Sequence, residues 1–251
     1  MRPRDRQLRI IDLVRTQGKV SVDELTQRFS SSAETIRRDL SQLSADGKLK
    51  KIHGGAVALR DYGEGAFAQR MQQNAGAKRL IADKARGLVS AGDSLLIDTG
   101  STTLVAAEAL ATIDGLTVVT NSTAIARVIG ATSDSAGIFL LGGAYNEDNR
   151  QTFGAIALNQ LEGFHGDLAV ITVGAVSAEG GFMDYSFDEA TIARAMIARC
   201  DRVVILADAS KFDRVAPFVV ASFDQVDFLV CDIPPDGILG ERLEQARVKV
   251  V

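Results

Sequence analysis

The chain has little of the material from which metal centres and disulfide scaffolds are made. Its 251 residues hold two cysteines and two histidines. Cys200 and Cys231 form no CxxC pair and sit beside apolar, strand-like neighbours, so buried free thiols are expected rather than a disulfide or a metal site. His53 and His165 complete no ligand cluster, and neither metal nor cofactor is expected. Apolar runs are short: none approaches the ~20 residues that cross a bilayer. Met1-Arg2-Pro3-Arg4-Asp5-Arg6 offers no apolar signal core. A cytoplasmic protein without membrane contact is the expectation. There is no internal repeat and no low-complexity tract. What remains is an ordinary globular composition, 46% hydrophobic and 24% charged, in a length suited to one or two domains.

Charge is divided unevenly along the chain. Residues 1–60 carry 13 Lys+Arg against 7 Asp+Glu, whereas residues 61–251 carry 15 against 25. A basic head on an acidic body suits a polyanion bound at one end, because counterion release rewards local positive charge and not the overall −4.

Within that head, Val22, Leu25 and Phe29 recur at i, i+3, i+7, and Ile36, Leu40 and Leu43 at i, i+4, i+7. Two short amphipathic helices are expected, each with one core face. Ser21-Val22-Asp23-Glu24 is a capping box for the first, Ser31 or Ser32 can cap the second, and Ser31 with Glu34 forms a second box. Only Ser30, Ser31 and Ser32 lie between them, the length of a tight helix-turn-helix connection. An earlier helix, Asp5 to Gln17, adds Ile10, Leu13 and Val14 to the same core. After Asp46-Gly47, which ends the second helix, the run Lys48 to Val57 alternates and suggests a two-stranded wing with Gly54-Gly55 at its turn or exit. The pattern is a winged helix-turn-helix over residues 1–57. Its second helix presents Thr35, Arg37, Arg38 and Gln42 for the major groove, where Arg pairs bidentately with guanine and Thr or Gln bonds other base edges, and Ser32 at its start is a further DNA-binding candidate. Lys50, Lys51 and His53 on the wing face phosphates. An ordinary solvated face of a three-helix bundle is the bland alternative, and the charge split argues against it.

Residues 58–75 read as a connector, polar and glycine-bearing at Arg60-Asp61-Tyr62-Gly63-Glu64-Gly65, with helical periodicity resuming near Phe67. From 76 to 251, short runs apolar on all sides alternate with helical stretches: Ser94 to Asp98, Leu116 to Thr120, Ile138 to Leu141, Leu168 to Val173, Val203 to Ala207 and Phe228 to Cys231. Such strands separated by helices argue for a largely parallel sheet covered on both faces, an α/β domain. Ligands of open α/β sheets collect at the carboxyl ends of strands. There the sequence has Asp98-Thr99-Gly100-Ser101-Thr102-Thr103, a small-residue turn entering a helix that offers N–H groups, hydroxyls and a helix dipole to an anion. Asn121, Gly142-Gly143 and Lys211 come after later strands. Lys211 can supply the positive charge for a phosphate, and Asp98 and Asn121 can bond sugar hydroxyls.

Thr35 to Leu40, His53-Gly54-Gly55-Ala56, Asp98 to Thr103, Thr120-Asn121, Leu141-Gly142-Gly143 and Asp208-Ala209-Ser210-Lys211-Phe212 together resemble the DeoR/GlpR family of transcriptional regulators, in order and spacing along nearly the whole chain. The resemblance implies a sensor domain similar to the ribose-5-phosphate isomerase and CoA-transferase folds, binding a phosphorylated sugar or polyol. It also implies a repressor of carbohydrate or polyol catabolism genes that this metabolite releases from operator DNA. The effector residues expected are Asp98, Gly100, Ser101, Thr102, Thr103, Asn121, Gly142, Gly143, Asp184, Tyr185, Glu189 and Lys211. Lys51 stands where the family usually has Arg, keeping the charge without the planar fork; Ser31 replaces a commoner apolar residue. The segment Phe182 to Ala190 looks closer to the glycerol-3-phosphate branch. One winged helix covers few base pairs, so a homodimer or homotetramer reading two half-sites is expected. Two readings stay open beside this one. Asp98, Asp188, Glu189 and Lys211 are also acid, base and anchor candidates for a sugar-phosphate isomerase or deaminase carrying a DNA-binding module. An activator with the same architecture fits equally.

Overall fold

A computed structural model describes residues 3–17, 19–45, 49–52, 54–57 and 67–251. The chain divides into two compact units, Met1–Tyr62 and Gly63–Val251.

The first unit runs α1 (Pro3–Gln17), β1 (Lys19–Ser21), α2 (Val22–Phe29), α3 (Ala33–Ala45), β2 (Lys50–Ile52) and β3 (Gly55–Val57). Ile10 and Val14 of α1, Val22 and Leu25 of α2, and Ile36, Leu40 and Leu43 of α3 are buried together, with Leu13 and Phe29 partly buried against them. The helical periodicities thus mark one shared core. Cutting Ile36 to alanine there should cost about 2–5 kcal/mol, since a small core collapses poorly around a cavity. The expected two-stranded wing, β2 paired with β3, is extended by β1 into a three-stranded antiparallel sheet in the order β1-β3-β2. Its extra strand is only three residues long, too short to show a period. The second helix is capped by Ser32, whose Oγ accepts from Thr35 N–H at 3.2 Å, while the Ser31 hydroxyl donates to the Phe29 carbonyl. Ser21 Oγ caps α2 by accepting from Glu24 N–H at 3.1 Å. Asp46 and Gly47, read as the end of α3, lie outside the described residues.

In the second unit α4 (Phe67–Gln72), α5 (Ala75–Arg86), β4 (Ser94–Ile97), α6 (Ser101–Leu110), β5 (Thr117–Thr120), α7 (Thr123–Thr132) and β6 (Gly137–Leu140) come first. There follow β7 (Ala144–Asn146), β8 (Gln151–Phe153), α8 (Ala155–Leu161), β9 (Gly166–Thr172), β10 (Ala175–Ser177), β11 (Gly181–Asp184) and α9 (Phe187–Ile197). The last elements are β12 (Cys200–Leu206), β13 (Phe218–Ala221), β14 (Phe228–Val230), α10 (Gly237–Gln245) and β15 (Lys249–Val250). Thus α4 occupies part of the stretch read as connector; residues 58–66 of that stretch lie outside the described residues.

Seven strands form a sheet in the order β15-β14-β12-β9-β4-β5-β6, every neighbouring pair parallel. Alternate side chains enter two cores. Leu95, Ile97, Val118, Leu168, Val170, Val204 and Leu206 pack with α5, α6 and α7. Leu96, Val119, Ala169, Ile171, Val203, Ile205 and Leu229 pack with α8, α9 and α10. Burial on both faces is why the central strands are apolar throughout. Edge strand β6 departs from that expectation, with Phe139 and Leu140 49% and 47% exposed. Two small antiparallel sheets, β10-β11-β13 and the hairpin β7-β8, were not signalled by any sequence period. Cys200 and Cys231 are free thiols, half-buried and buried. Burial pushes their pKa values up to about 12 and about 11.

The strand order changes direction between β4 and β9: the chain builds outward through β5 and β6, then returns to β9 and builds the other way. That switch point parts the connections leaving the two strands and opens a crevice at their carboxyl ends.

Candidate functional site

On α3 the burial of Ile36 and Leu40 turns Arg37, Arg38, Ser41 and Gln42 outward, all exposed. Thr35 is half-buried at the first turn, and its hydroxyl lies 2.9 Å from the exposed Ser32 hydroxyl. Lys51 Nζ donates to Ser41 Oγ at 2.7 Å. Ser41 is one turn from Arg37, so this bond brings the wing lysine onto the face that carries both arginines. Ser41 escaped sequence reasoning because a mid-helix serine has no distinctive spacing. Asp39, next to Arg38 in sequence, points the other way. It is 5% exposed, and accepts from Arg6 Nε at 2.6 Å and from Gln7 Nε2 at 3.1 Å. A carboxylate inside the bundle fixes α1 against α3 and keeps a negative charge off the outward face. The side chain of Lys50 and all of His53 lie outside the described residues.

In the second unit, a cleft with an empty volume of about 350 Å³, open solvent included, lies at the switch point. Only about 30 Å³ of it is enclosed room, space for about one water and well below the usual ligand cavity. One wall is Ser101, Thr102, Thr172, Asp208, Ser210 and Lys211. The other, formed by the α4–α5 hairpin, is Arg70, Gln73, Asn74 and Lys78. Ser101 and Thr102 open α6, whose first N–H groups have no intrahelical acceptor and whose dipole favours an anion. Gly100 precedes them because β9 passes close: a side chain there would run into the Thr172 methyl. Thr103 is fully buried, its hydroxyl donating to the Gly100 carbonyl at 3.2 Å. Asp98 is 5% exposed and accepts from Thr172 N–H at 3.1 Å, which pins the β4 and β9 ends together.

A polar relay leads away from this cleft. Arg70 Nη2 donates to Asn149 Oδ1 at 3.0 Å, and Asn149 Nδ2 donates to Glu189 Oε1 at 2.7 Å. Gln151 Nε2 donates to the same Glu189 oxygen at 3.0 Å, and Asn121 Nδ2 lies 3.5 Å from Gln151 Oε1. Asn121 and Glu189, read from sequence, are therefore joined through Asn149 and Gln151, which were missed. Those two sit in and beside the β7-β8 turn, where polar residues look like ordinary turn residues. Asn121 also donates to the Thr152 carbonyl at 3.0 Å, and its Oδ1 is buried with no hydrogen-bond partner among the described residues.

Other expected residues do not line the cleft. Gly142 N–H donates to Gln160 Oε1 at 2.7 Å. Gly143 has φ +134 and lies so close to the Phe153 carbonyl that a Cβ would overlap it. Asp184 accepts from Ser186 N–H at 2.8 Å ahead of α9, and Tyr185 packs against Ala175, Met183 and Ala216. Arg70 and Lys78 were missed outright, although both keep phase with apolar faces: Arg70 with Phe67, and Lys78 with Ile81, Ala82 and Ala85. A cation in register with a core stripe was the available signal. The Arg70 guanidinium carbon lies 5.5 Å from the Phe67 ring centroid.

Residues 6–61 match the DeoR-like helix-turn-helix domain, and residues 73–233 match the DeoR C terminal sensor domain. The chain belongs to the DeoR family. It is similar to the transcriptional repressor AccR of Agrobacterium fabrum, 32% identical over 249 residues that cover 98% of this chain and 96% of that one. It is also similar to the glycerol-3-phosphate regulon repressor of Escherichia coli, 31% identical over 226 residues covering 90% and 89%. With relatives of this length named as repressors, the protein is a DNA-binding transcriptional regulator rather than an enzyme, and the isomerase or deaminase reading falls away. Among solved structures, ribose 5 phosphate isomerase A from Neisseria gonorrhoeae aligns over 54% of this chain and 52% of its own, at 19% identity and a TM-score of 0.39. No described helix is long and apolar enough to cross a membrane.

Proposed function

We propose that this DeoR-family regulator represses genes of carbohydrate or polyol catabolism and leaves its operator when a phosphorylated sugar or polyol fills the switch-point cleft. The observation that carries the reading is the cleft itself, where the opening turn of α6 at Ser101 and Thr102 meets Lys211 across a small polar pocket. Hydroxyls, helix-end N–H groups and a cation in one place suit a phosphate. The relay through Asn149, Glu189, Gln151 and Asn121 lies outside the cleft lining and holds Arg70 in place from behind. On the other unit, Arg37, Arg38, Thr35 and Gln42 read base edges while Ser32, Lys50, Lys51 and His53 engage the backbone, in a homodimer or homotetramer that spans two half-sites. The named function of the Escherichia coli relative makes glycerol 3-phosphate the first effector to try.

The test selects operator DNA from genomic fragments with the full-length protein, then monitors its release by fluorescence anisotropy. Phosphorylated polyols and sugars are titrated beside their unphosphorylated parents. Release by a phosphorylated compound at a concentration where its parent is inert is the expected result. Equal potency of the parent, or release by no phosphorylated compound, overturns the reading.

A further inference from the structure

The large sheet ends in two unlike edges. At one, β15 is only Lys249–Val250, and Lys249 Nζ lies 5.4 Å from the Phe228 ring centroid. So short a strand, with a lysine on it, is a poor template for further pairing. At the other, β6 has no such guard. Its residues Gly137, Ile138, Phe139 and Leu140 include no charge and no proline, and they pair with β5 in an unbroken parallel register. Among the described residues no strand pairs with its outer side. Gly137 N–H donates to the Leu116 carbonyl and Leu141 N–H to the Thr120 carbonyl. At a period of two, Ile138 and Leu140 therefore turn their N–H and C=O groups away from β5.

Both faces of this edge are apolar, since Phe139 and Leu140 point to opposite sides of the sheet and both are exposed. The Phe139 ring packs on Phe164 with centroids 5.4 Å apart. Helix α8 lies against the end of the strand through Gln160 and Gly142, and carries the exposed Ile156. From Ser135 to Asn146, and again from Ala155 to Leu161, no residue is charged. Unpaired strand groups call for an extended backbone, and the absence of charge selects which one. Across a two-fold axis each side chain near the axis meets its own copy, so a charge there repels itself whereas a neutral apolar strand does not.

We propose that β6 is the contact between two copies of this chain, which pair antiparallel through their β6 edges about a two-fold axis at Phe139. Ile138 of each copy exchanges backbone hydrogen bonds with Leu140 of the other, and the two Phe139 side chains lie opposite each other on the α8 face. The two large sheets become one continuous sheet. This rests on the homo-oligomer given under Proposed function and names the surface that builds it, with the two-fold symmetry that paired half-sites require.

The experiment measures the mass of the full-length protein by sedimentation velocity at micromolar concentration. The wild type should sediment as a dimer or tetramer. Phe139→Lys should halve that mass, because it sets two ammonium groups face to face at the axis, and circular dichroism checks that the variant folds. Phe139→Cys provides a second arm that disrupts nothing. Opposite residues of a non-hydrogen-bonded antiparallel pair have Cα atoms about 4.5 Å apart, within reach of a disulfide. With oxidised glutathione as the oxidant, Phe139→Cys should form a covalent dimer roughly tenfold faster than Val219→Cys, a control of equal 49% exposure on β13. Should Phe139→Lys misfold, the cross-linking rate decides alone. A folded Phe139→Lys of wild-type mass, or cross-linking no faster than the control, removes β6 as the contact and leaves an oligomer built elsewhere. A monomeric wild type brings down the oligomer and the β6 contact together.

Discussion

The two units place their cations in opposite ways. In the DNA-binding unit, Arg37, Arg38 and Lys51 stand in solvent, and the one buried cation among its described residues, Arg6, is paired with the buried carboxylate of Asp39 at 2.6 Å. In the sensor unit, Arg70 and Lys78 are buried in the wall of a small cleft. Exposed charge meets a long polyanion over an open surface, where binding is driven by counterion release and falls steeply with salt. Buried charge meets only an anion small enough to enter, and a confined site is screened far less. On the proposed reading, one kind of side chain serves two partners of different size, the difference being how much water each cation keeps.

The largest break in this comparison comes from removing the exposed charges. The double substitution Arg37→Ala and Arg38→Ala should lower operator affinity roughly a hundredfold or more, given ~1–3 kcal/mol for each good base contact. Anisotropy at physiological salt checks it, with circular dichroism to show that the fold survives. Asp39→Ala tests the opposite arrangement in the same unit. Stripping the partner from buried Arg6 should cost about 3 kcal/mol of that unit's stability, seen as an early transition in denaturant. Retained stability would show that the pair is dispensable.

How far these features were legible differs by element. Strands β4, β5, β9 and β12 were readable because both of their faces are buried, which leaves an apolar run at each. Strands β1, β7, β8, β10 and β11 have three or four residues each and fall below any periodic signal. Ser101, Thr102 and Lys211 were legible from their places just past strand ends, and the structure brings them to one cleft. Gly142, Gly143 and Tyr185 also lie past strand ends, and Asp184 closes β11, but they meet backbone and neighbouring side chains, because a strand end also needs residues that turn the chain. Arg70 and Lys78 lie well before β4 in sequence. Only the packing of α4 and α5 brings them to the site, so reasoning from strand ends missed them.

A smaller effect sharpens the contrast on the sensor side. Lys211→Ala should keep the protein on its operator at inducer concentrations that release the wild type, with the midpoint raised about tenfold by loss of one charge-assisted contact. An unchanged midpoint would place the phosphate elsewhere. The smallest effect concerns groups outside both sites. Cys200 and Cys231 ionise in the folded chain only near pH 12 and 11, above the ordinary 9.0. The folded state therefore keeps thiol protons that the unfolded state has lost, so this stabilisation is complete below about pH 8.5 and is lost as pH rises beyond it. Replacing both cysteines by alanine should flatten the alkaline slope in a thermal-melt series, and a slope that persists would assign it to other groups.

The most direct measurement is linkage between the two partners. Calorimetric titration of the releasing effector into free protein and into the protein–operator complex gives two affinities, and operator titration with and without saturating effector gives another two. Thermodynamic reciprocity requires the two ratios to be equal. The account predicts that effector binds the operator complex more weakly, by the same factor of at least tenfold by which it weakens operator binding. Equal effector affinity for free and DNA-bound protein would contradict it, since a ligand that does not distinguish the two states cannot release the operator.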